Sequence, residues 1–385
     1  MKGRRRVLIV QKSIPSYRVA FFSALRRELD VREIDLILVG GDPVGDDRFK
    51  ADTGKVEGAL FRPNRRYRVG KREFVWQPVL DLTKSVDLVI VEQASKLLVN
   101  YFLLARQLLP RTPSVAMWGH GVNLQTQTAN RLGEYVKKLV SRRSRWWFAY
   151  TEGTRQIMIN KGIPASRITV VQNSIDAEAL RQSILELPAD IEAQMRTLWR
   201  CATGKTAVFV GGLYAEKRLD FLIQACATVA TEIPQFRLVI AGDGPDRTHV
   251  EGLVKDLDFV TYIGRVDGSD RVSLLRIADC IVMPGLVGLA IIDSFVAEAP
   301  LITTNLKSHS PEIEYLEDGI NGICVRDSDD PDAFAKAVKN VISSGELMAR
   351  LRIGCRLSAD KYSLNAMVTR FADGIELALV TLSAD

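Results

Sequence analysis

Phe209-Val-Gly-Gly-Leu-Tyr-Ala-Glu-Lys-Arg-Leu-Asp220 contains the unit from which the rest of the chain is read: an apolar run, a Gly-Gly turn, and a basic pair entering an apolar helical segment. The run at 207–211 is nearly continuous in apolar residues, which fits a parallel strand buried on both faces. The segment at 221–231 has helical spacing. The same pair of patterns recurs along the chain. Upstream, short apolar runs stand at 7–10, 35–39, 88–91, 115–118, 148–151 and 168–172. Downstream they stand at 237–241, 260–264, 280–284, 301–304 and 322–325. Helical spacing fills stretches between them, as at 17–29. Strand–helix alternation twice over predicts an α/β protein of two doubly wound domains. A length of 385 residues suits two domains better than one.

The expected boundaries are a first domain at 1–178, a helical or irregular linker at 179–204 holding Pro188, Asp190 and Gly204, and a second domain at 205–360. A closing helical segment at 361–385 is expected to cross back onto the first domain. Open parallel sheets bind ligands at the carboxyl ends of their strands, and domain interfaces also favour ligands. A cleft between the two lobes is therefore expected, with its chemistry in the loops just after strands.

Composition narrows the field. Apolar residues make up 47% of the chain, enough for a core in each half. The most apolar stretch, 97–109, is interrupted by Asn100, Arg106 and Gln107 and is too short to span a bilayer. The apolar run after the basic N-terminus is too short for a signal peptide, so a cytoplasmic location is expected. Five cysteines without a CxxC pair and only three histidines argue against a disulfide framework or a zinc site. The formal charge is +6, and the excess of Lys and Arg lies in the first half. That asymmetry suits a phosphate-rich partner or an anionic membrane surface, with a solvated basic face as the alternative. Lys137, Lys138, Arg142, Arg143 and Arg145, followed by Trp146 and Trp147, fit a peripheral membrane contact or a solvated helix leading into a core strand. No nucleic-acid-binding module is recognisable, so no nucleic acid is expected as partner.

Two loops carry the strongest chemical signal. After the 207–211 run, Gly211 and Gly212 let backbone N–H groups approach a ligand, and Lys217 and Arg218 add charge that suits a diphosphate. A solvated Lys-Arg pair explains the same residues. The second loop lies in Pro284-Gly-Leu-Val-Gly-Leu-Ala-Ile-Ile-Asp-Ser-Phe-Val-Ala-Glu-Ala-Pro300. Asp293 there sits on an otherwise apolar helix. A buried carboxylate needs partners, which ribose hydroxyls or a local basic group would supply. In the first half, Met117-Trp-Gly-His-Gly121 ends a strand and leaves His120 at its carboxyl edge.

In order along the chain, these loops resemble the retaining glycosyltransferase family 4, whose fold is GT-B: two Rossmann-like domains facing across a cleft. Tyr17-Arg-Val-Ala-Phe-Phe22 resembles that family's opening helix. Ile168-Thr-Val-Val-Gln-Asn-Ser-Ile-Asp176 is similar to its boundary motif, and Val239-Ile-Ala-Gly-Asp-Gly-Pro245 to its Gly-x-Gly-Pro turn. Pro311-Glu-Ile-Glu314 and Asp318-Gly-Ile-Asn-Gly322 match its late motif. The resemblance covers nearly the whole chain. It implies a donor-binding set of Gly211, Gly212, Lys217, Arg218, Arg265, Val266, Gly285, Val287, Gly288, Leu289 and Asp293. Lys217 would meet the diphosphate, Asp293 the ribose, the backbone at Gly288 and Leu289 the sugar or phosphate, and the loop at Arg265 and Val266 the base. His120 would be the active-site histidine.

Two positions depart from the family pattern. Gly212 stands where an Arg is usual, and Gly285 stands where the first Glu of Glu-x7-Glu is usual. The Pro-Gly-x-Val-Gly-Leu form resembles a variant subgroup. The implied activity is transfer of a hexosyl group, with retention, from a UDP- or GDP-sugar to a hydroxyl of a saccharide or polyprenyl-linked acceptor in bacterial surface polysaccharide synthesis. The enzyme would be cytoplasmic, or peripheral on the inner face of the membrane. A sugar-nucleotide epimerase of the same fold, or a non-catalytic partner protein, are the alternatives.

Three motif-like signals are set aside. Gly204-Lys-Thr206 lacks the P-loop glycine, since Trp199 stands there, and it precedes a strand. Asp327-Ser-Asp329 runs into Asp330-Pro331, which reads as a helix N-cap, so no catalytic metal or other cofactor is expected. Gly242-Asp-Gly-Pro has Arg247 at the third glycine position of a dinucleotide fingerprint.

Overall fold

The computed structural model describes residues 3–43, 53–70, 72–110, 112–121, 143–201 and 203–384. The chain forms two compact units, Met1–Ile175 with Leu364–Asp385, and Asp176–Ser363. In the first unit the strands are β1 (Arg5–Val10), β2 (Ile34–Gly40), β3 (Leu60–Phe61), β4 (Arg65–Val69), β5 (Arg72–Trp76), β6 (Leu88–Glu92), β7 (Ser114–Gly119), β8 (Trp146–Ala149) and β9 (Ile168–Val170). All but β4 and β5 join one parallel sheet in the order β3-β2-β1-β6-β7-β8-β9. The order reverses between β1 and β6, which is the switch point of a doubly wound sheet. β4 and β5 form a separate antiparallel hairpin.

The apolar runs are explained by burial on both sheet faces. Side chains alternate along a strand, so Val7 and Ile9 of β1 enter one core and Leu8 and Val10 the other. The first core is closed by helix Val19–Val31 and by the last helix, Leu364–Ala384, with Phe371 stacked on Phe148 at 4.4 Å. The second is closed by helix Leu98–Arg106, among others. Trp146 and Trp147 are both buried and go one to each core. They are therefore interior residues of β8, whereas Lys137, Lys138 and Arg142 lie outside the described residues.

In the second unit β10 (Thr206–Val210), β11 (Arg237–Ala241), β12 (Val260–Gly264), β13 (Cys280–Met283), β14 (Leu301–Thr304) and β15 (Gly322–Val325) make a parallel sheet in the order β12-β11-β10-β13-β14-β15. The chain winds outward from β10 to β12, crosses back, and winds outward again from β13. The switch point lies between β10 and β13. The stretch 179–204, expected as a helical or irregular linker, holds most of helix Ala177–Leu185 and all of helix Ala189–Leu198, and groups with the second unit. Glu192 ties that second helix to helix Gly268–Ile277 through Arg276 at 2.8 Å. Among the described residues, no helix is long and apolar enough to cross a membrane.

Candidate functional site

The loops leaving β10 and β13 meet at the switch point of the second unit. After β10 the chain turns through Gly211 and Gly212 into a short 3-10 turn, Ala215–Lys217, and then helix Leu219–Glu232. The turn leans on the one after β11: the Leu213 N–H donates to the Asp243 carbonyl and the Asp246 N–H to the Leu213 carbonyl, both at 3.0 Å. A Cβ on Gly244 would fall 2.3 Å from the Leu213 carbonyl oxygen, so the Gly-Asp-Gly-Pro turn is glycine-rich because backbone touches backbone there.

The loop after β13 is held at nearly every peptide. Thr304 Oγ1 donates to the Pro284 carbonyl at 2.6 Å. The Leu286 N–H donates to the Glu216 carbonyl at 2.8 Å, and Lys217 Nζ donates to the Leu286 carbonyl at 2.5 Å. The Val287 N–H donates to His309 Nδ1 at 3.0 Å, and the Ser310 N–H to the Val287 carbonyl at 2.9 Å. Gly285 lies so close to the Ala215–Lys217 turn that a Cβ would sit 2.2 Å from the Glu216 carbonyl oxygen and 2.4 Å from the Lys217 carbonyl carbon. No side chain can stand at 285 while this contact persists.

Lys217 is 6% exposed. Burial pushes its ammonium down to about 8. Its Nζ lies 5.5 Å from the centre of the Tyr214 ring, a cation–π distance. The ammonium has three donors, and the bond to Leu286 uses one. A cation at a helix start opposes the macrodipole, so its placement here has a reason other than helix stability.

Arg218 is differently placed. It adopts a left-handed backbone, φ 57°, at the start of helix Leu219–Glu232. Its guanidinium stacks over Phe221 at 4.4 Å and donates to the Ser328 carbonyl and the Asp329 carboxylate, at 2.6 and 2.9 Å. Those bonds direct it toward the loop after β15.

Asp293 is buried on helix Ala290–Val296 and has a local basic partner: Arg271 of helix Gly268–Ile277 donates to its Oδ1 at 2.5 Å. Burial pushes the Asp293 carboxyl up, and Arg271 opposes that shift. Arg265 pairs with Asp267 at 2.9 Å and is exposed, with Val266 beside it in the loop after β12. Gly288 and Leu289 precede helix Ala290–Val296, and a Cβ on Gly288 would meet the Ser310 side chain, Oγ at 3.4 Å and Cβ at 3.7 Å. Thus Gly211, Lys217, Gly285, Val287, Gly288 and Leu289 are drawn together by the loop contacts. Asp293 is tied instead to Arg271, and Arg265 to Asp267.

Two residues at this edge were not singled out from the sequence. His309 is 4% exposed, with Nδ1 accepting from Val287 and Nε2 lying 2.7 Å from the Thr304 carbonyl. These two contacts require the neutral ring with its proton on Nε2. Burial pushes the His309 ring below its ordinary value, which favours that state. The signal was its position, five residues after the strand 301–304. His309→Phe leaves the Val287 N–H without its acceptor, at a cost of about 1–3 kcal/mol. A chemical melt is expected to show that loss, and His309→Gln, whose amide can both accept and donate, to recover part of it. Arg271 is the other. Arg271→Ala removes the cation that opposes burial of Asp293, so the carboxyl rises further. A group raised in the folded state supports stability below its unfolded pKa and loses that support as pH rises through the folded pKa. The melting temperature of Arg271→Ala is therefore expected to fall relative to the parent as pH rises from the acid range to neutrality.

In the first unit, His120 follows β7, its ring 6.0 Å from that of Tyr150 and nearly perpendicular to it. Its neighbour Gly121 is held by Gln93 Oε1, which accepts from the Gly121 N–H at 2.6 Å, and by Lys161 Nζ, which donates to the Gly121 carbonyl at 2.5 Å. Arg18 is buried at the same edge, its guanidinium 4.4 Å from the Trp118 ring centre and donating to the Tyr150 hydroxyl at 3.4 Å. This explains the Tyr-Arg opening of the Val19–Val31 helix.

Residues 204–344 match the model of a family described as glycosyl transferases group 1. Alpha-D-kanosaminyltransferase of Streptomyces kanamyceticus is 25% identical over 262 residues, covering 64% of each chain. The GDP-mannose-dependent alpha-(1-6)-phosphatidylinositol dimannoside mannosyltransferase of Mycobacterium tuberculosis is 28% identical over 257 residues, covering 60% of this chain and 63% of that one. The chain thus spans just under two thirds of the length of these curated relatives. Among solved structures, a glycosyltransferase from Rickettsia africae superposes with a TM-score of 0.72 at 17% identity, covering 97% of this chain and 98% of that one. The Anabaena protein HepE in complex with UDP does so with 0.71 at 15% identity, covering 97% and 99%. These likenesses show the fold, which is GT-B, with two Rossmann-like units.

Proposed function

We propose that this chain is a retaining glycosyltransferase that moves a hexosyl group from a UDP- or GDP-sugar to a hydroxyl of a saccharide or lipid-linked saccharide, in the assembly of a bacterial surface polysaccharide. One observation carries the reading: the buried Lys217 ammonium is bonded to the backbone of the glycine loop 285–288 at the switch point of the β10–β15 sheet. It lies within the residues that match the glycosyl transferases group 1 model. The relatives named above include a GDP-mannose-dependent transferase, and HepE was solved with UDP. Both nucleotides therefore stay in the proposal.

Breaking the glycosidic bond to the diphosphate places negative charge on the leaving group. Lys217, held by Leu286 before any ligand arrives, would stabilise that charge without reorganising, which is where electrostatic catalysis gains most. The tightly bonded loop would offer its backbone to the phosphate or sugar. Asp293, oriented by Arg271, would turn an oxygen to the ribose. His120 is the histidine proposed for the active site.

A second reading has its own observation. With Gly285 against the Ala215–Lys217 turn, no carboxylate stands where the family's first Glu is usual. A protein that binds nucleotide-sugar without turning it over would also tolerate that loss. The test is release of UDP or GDP from a panel of donor sugars, with and without saccharide acceptors, and the anomeric configuration of the product by NMR. Acceptor-dependent release with retained configuration is expected. Turnover of a sugar-nucleotide without acceptor would point to an epimerase, and binding without release to the non-catalytic reading.

A further inference from the structure

Gly211 and Gly212 floor the turn after β10, and two side chains lie over them. A Cβ on Gly211 would sit 3.8 Å from Lys217 Cε. A Cβ on Gly212 would sit 2.7 Å from Cε1 of Tyr214 and 3.1 Å from its Cδ1. The nearer atom adjoins the hydroxyl-bearing carbon, so Gly212 lies along the hydroxyl half of the ring. Any side chain at 212 would need the room that the ring already takes. Tyr214 is also tied to Lys217. It precedes the Ala215–Lys217 turn with an extended backbone, and its carbonyl accepts from the Lys217 N–H at 2.8 Å. Its ring centre then stands 5.5 Å from Lys217 Nζ.

The turn has few other donors to offer an anion. The Gly211 N–H is spent on the Ala241 carbonyl and the Leu213 N–H on the Asp243 carbonyl, both at 3.0 Å. Arg218, the next cation, is turned to Ser328 and Asp329. Beside the Lys217 ammonium stands the Tyr214 phenol. It is half-buried, and among the described residues nothing hydrogen-bonds its hydroxyl. Burial pushes the phenol above its ordinary value, so at neutral pH it keeps its proton and can donate. Packing on Gly212 and cation–π contact with Lys217 need only the ring, and phenylalanine would serve both. A diphosphate gives the hydroxyl its use, as an anionic acceptor beside a cation. We propose that Tyr214 is a second diphosphate-binding residue of this site, its hydroxyl donating to a phosphate oxygen of the donor beside Lys217, from the room that a side chain at 212 would need. This deepens the nucleotide-sugar reading above and rests on it.

Calorimetric titration with UDP and with GDP compares the parent with Tyr214→Phe, which keeps the ring and loses only the hydroxyl. Tyr214→Phe is expected to melt with the parent and to bind the preferred nucleotide roughly tenfold more weakly, the loss of one hydrogen bond to a charged group. A double-mutant cycle tests the packing. Gly212→Arg in the parent displaces the ring, and is expected to lower the melting temperature and weaken binding. In Tyr214→Ala the room is open, and there Gly212→Arg is expected to strengthen binding by about tenfold, as a charged donor enters it. Parent-like affinity in Tyr214→Phe would overturn the role given to the hydroxyl. An equal effect of Gly212→Arg in both backgrounds would overturn the placement of the ring on Gly212. Either result leaves the nucleotide reading standing, whereas a parent that binds neither nucleotide would overturn that reading and this proposal with it.

Discussion

Gly285→Glu, which supplies the carboxylate usual at this position in the resembling family, weakens donor binding instead of improving it. The obstacle is backbone. The atoms a Cβ would strike are the Glu216 carbonyl oxygen and the carbonyl carbon and oxygen of Lys217, the last at 2.5 Å. None is the far end of a flexible side chain. Admitting any side chain moves the 284–288 loop off the Ala215–Lys217 turn. The bond from the Leu286 N–H to Glu216 and that from Lys217 Nζ to the Leu286 carbonyl then fail together. One neutral and one charged hydrogen bond lost from a buried site cost about 2–4 kcal/mol together. That is a fall in affinity of roughly thirty- to a thousandfold. Gly285→Ala has the same obstacle without the charge, so calorimetric titration of both variants separates sterics from electrostatics. If the Glu variant binds UDP or GDP as well as the parent, the close approach does not constrain the site.

Lys217→Ala weakens nucleoside-diphosphate binding and transfer by about ten- to a hundredfold, because it removes a charge-assisted bond worth roughly 1.5–3 kcal/mol. The same residue sets a pH dependence. Burial lowers its pKa to about 8, so the cation is present below that value and lost above it. A diphosphate binds the cation, so affinity is full at neutrality and falls by roughly tenfold per pH unit beyond the lowered pKa. Lys217→Ala is expected to bind weakly at every pH and to lack this decline. A parent titration that stays level to about pH 10, the ordinary lysine range, would contradict the role given to the ammonium.

The α/β class and the two parallel sheets were legible because continuous apolar runs report burial on both faces. Both switch points follow from the strand order, which no local pattern reveals. The β4–β5 hairpin was illegible for the opposite reason: Arg65-Arg-Tyr-Arg-Val69 buries nothing and so shows no alternation. The stretch 179–204 was read as a helical or irregular linker, and Pro188 stands just before helix Ala189–Leu198, where proline is tolerated. In the site, Lys217 and the 285–288 glycines were visible as residue types in loops after strands. The bond from Lys217 to the Leu286 carbonyl between those glycines was not, since it joins positions far apart in sequence. Asp293 drew attention as a carboxylate on an apolar helix, but its partner Arg271 lies on a different helix. His309 escaped notice because its work is local backbone support, which has no compositional signature.

The switch point between β10 and β13 is proposed to bind a nucleoside diphosphate. Calorimetric titration of the full chain with UDP and with GDP at neutral pH tests this most directly. Saturable binding of one nucleotide at a single site is expected. Heats indistinguishable from dilution for both nucleotides would contradict it.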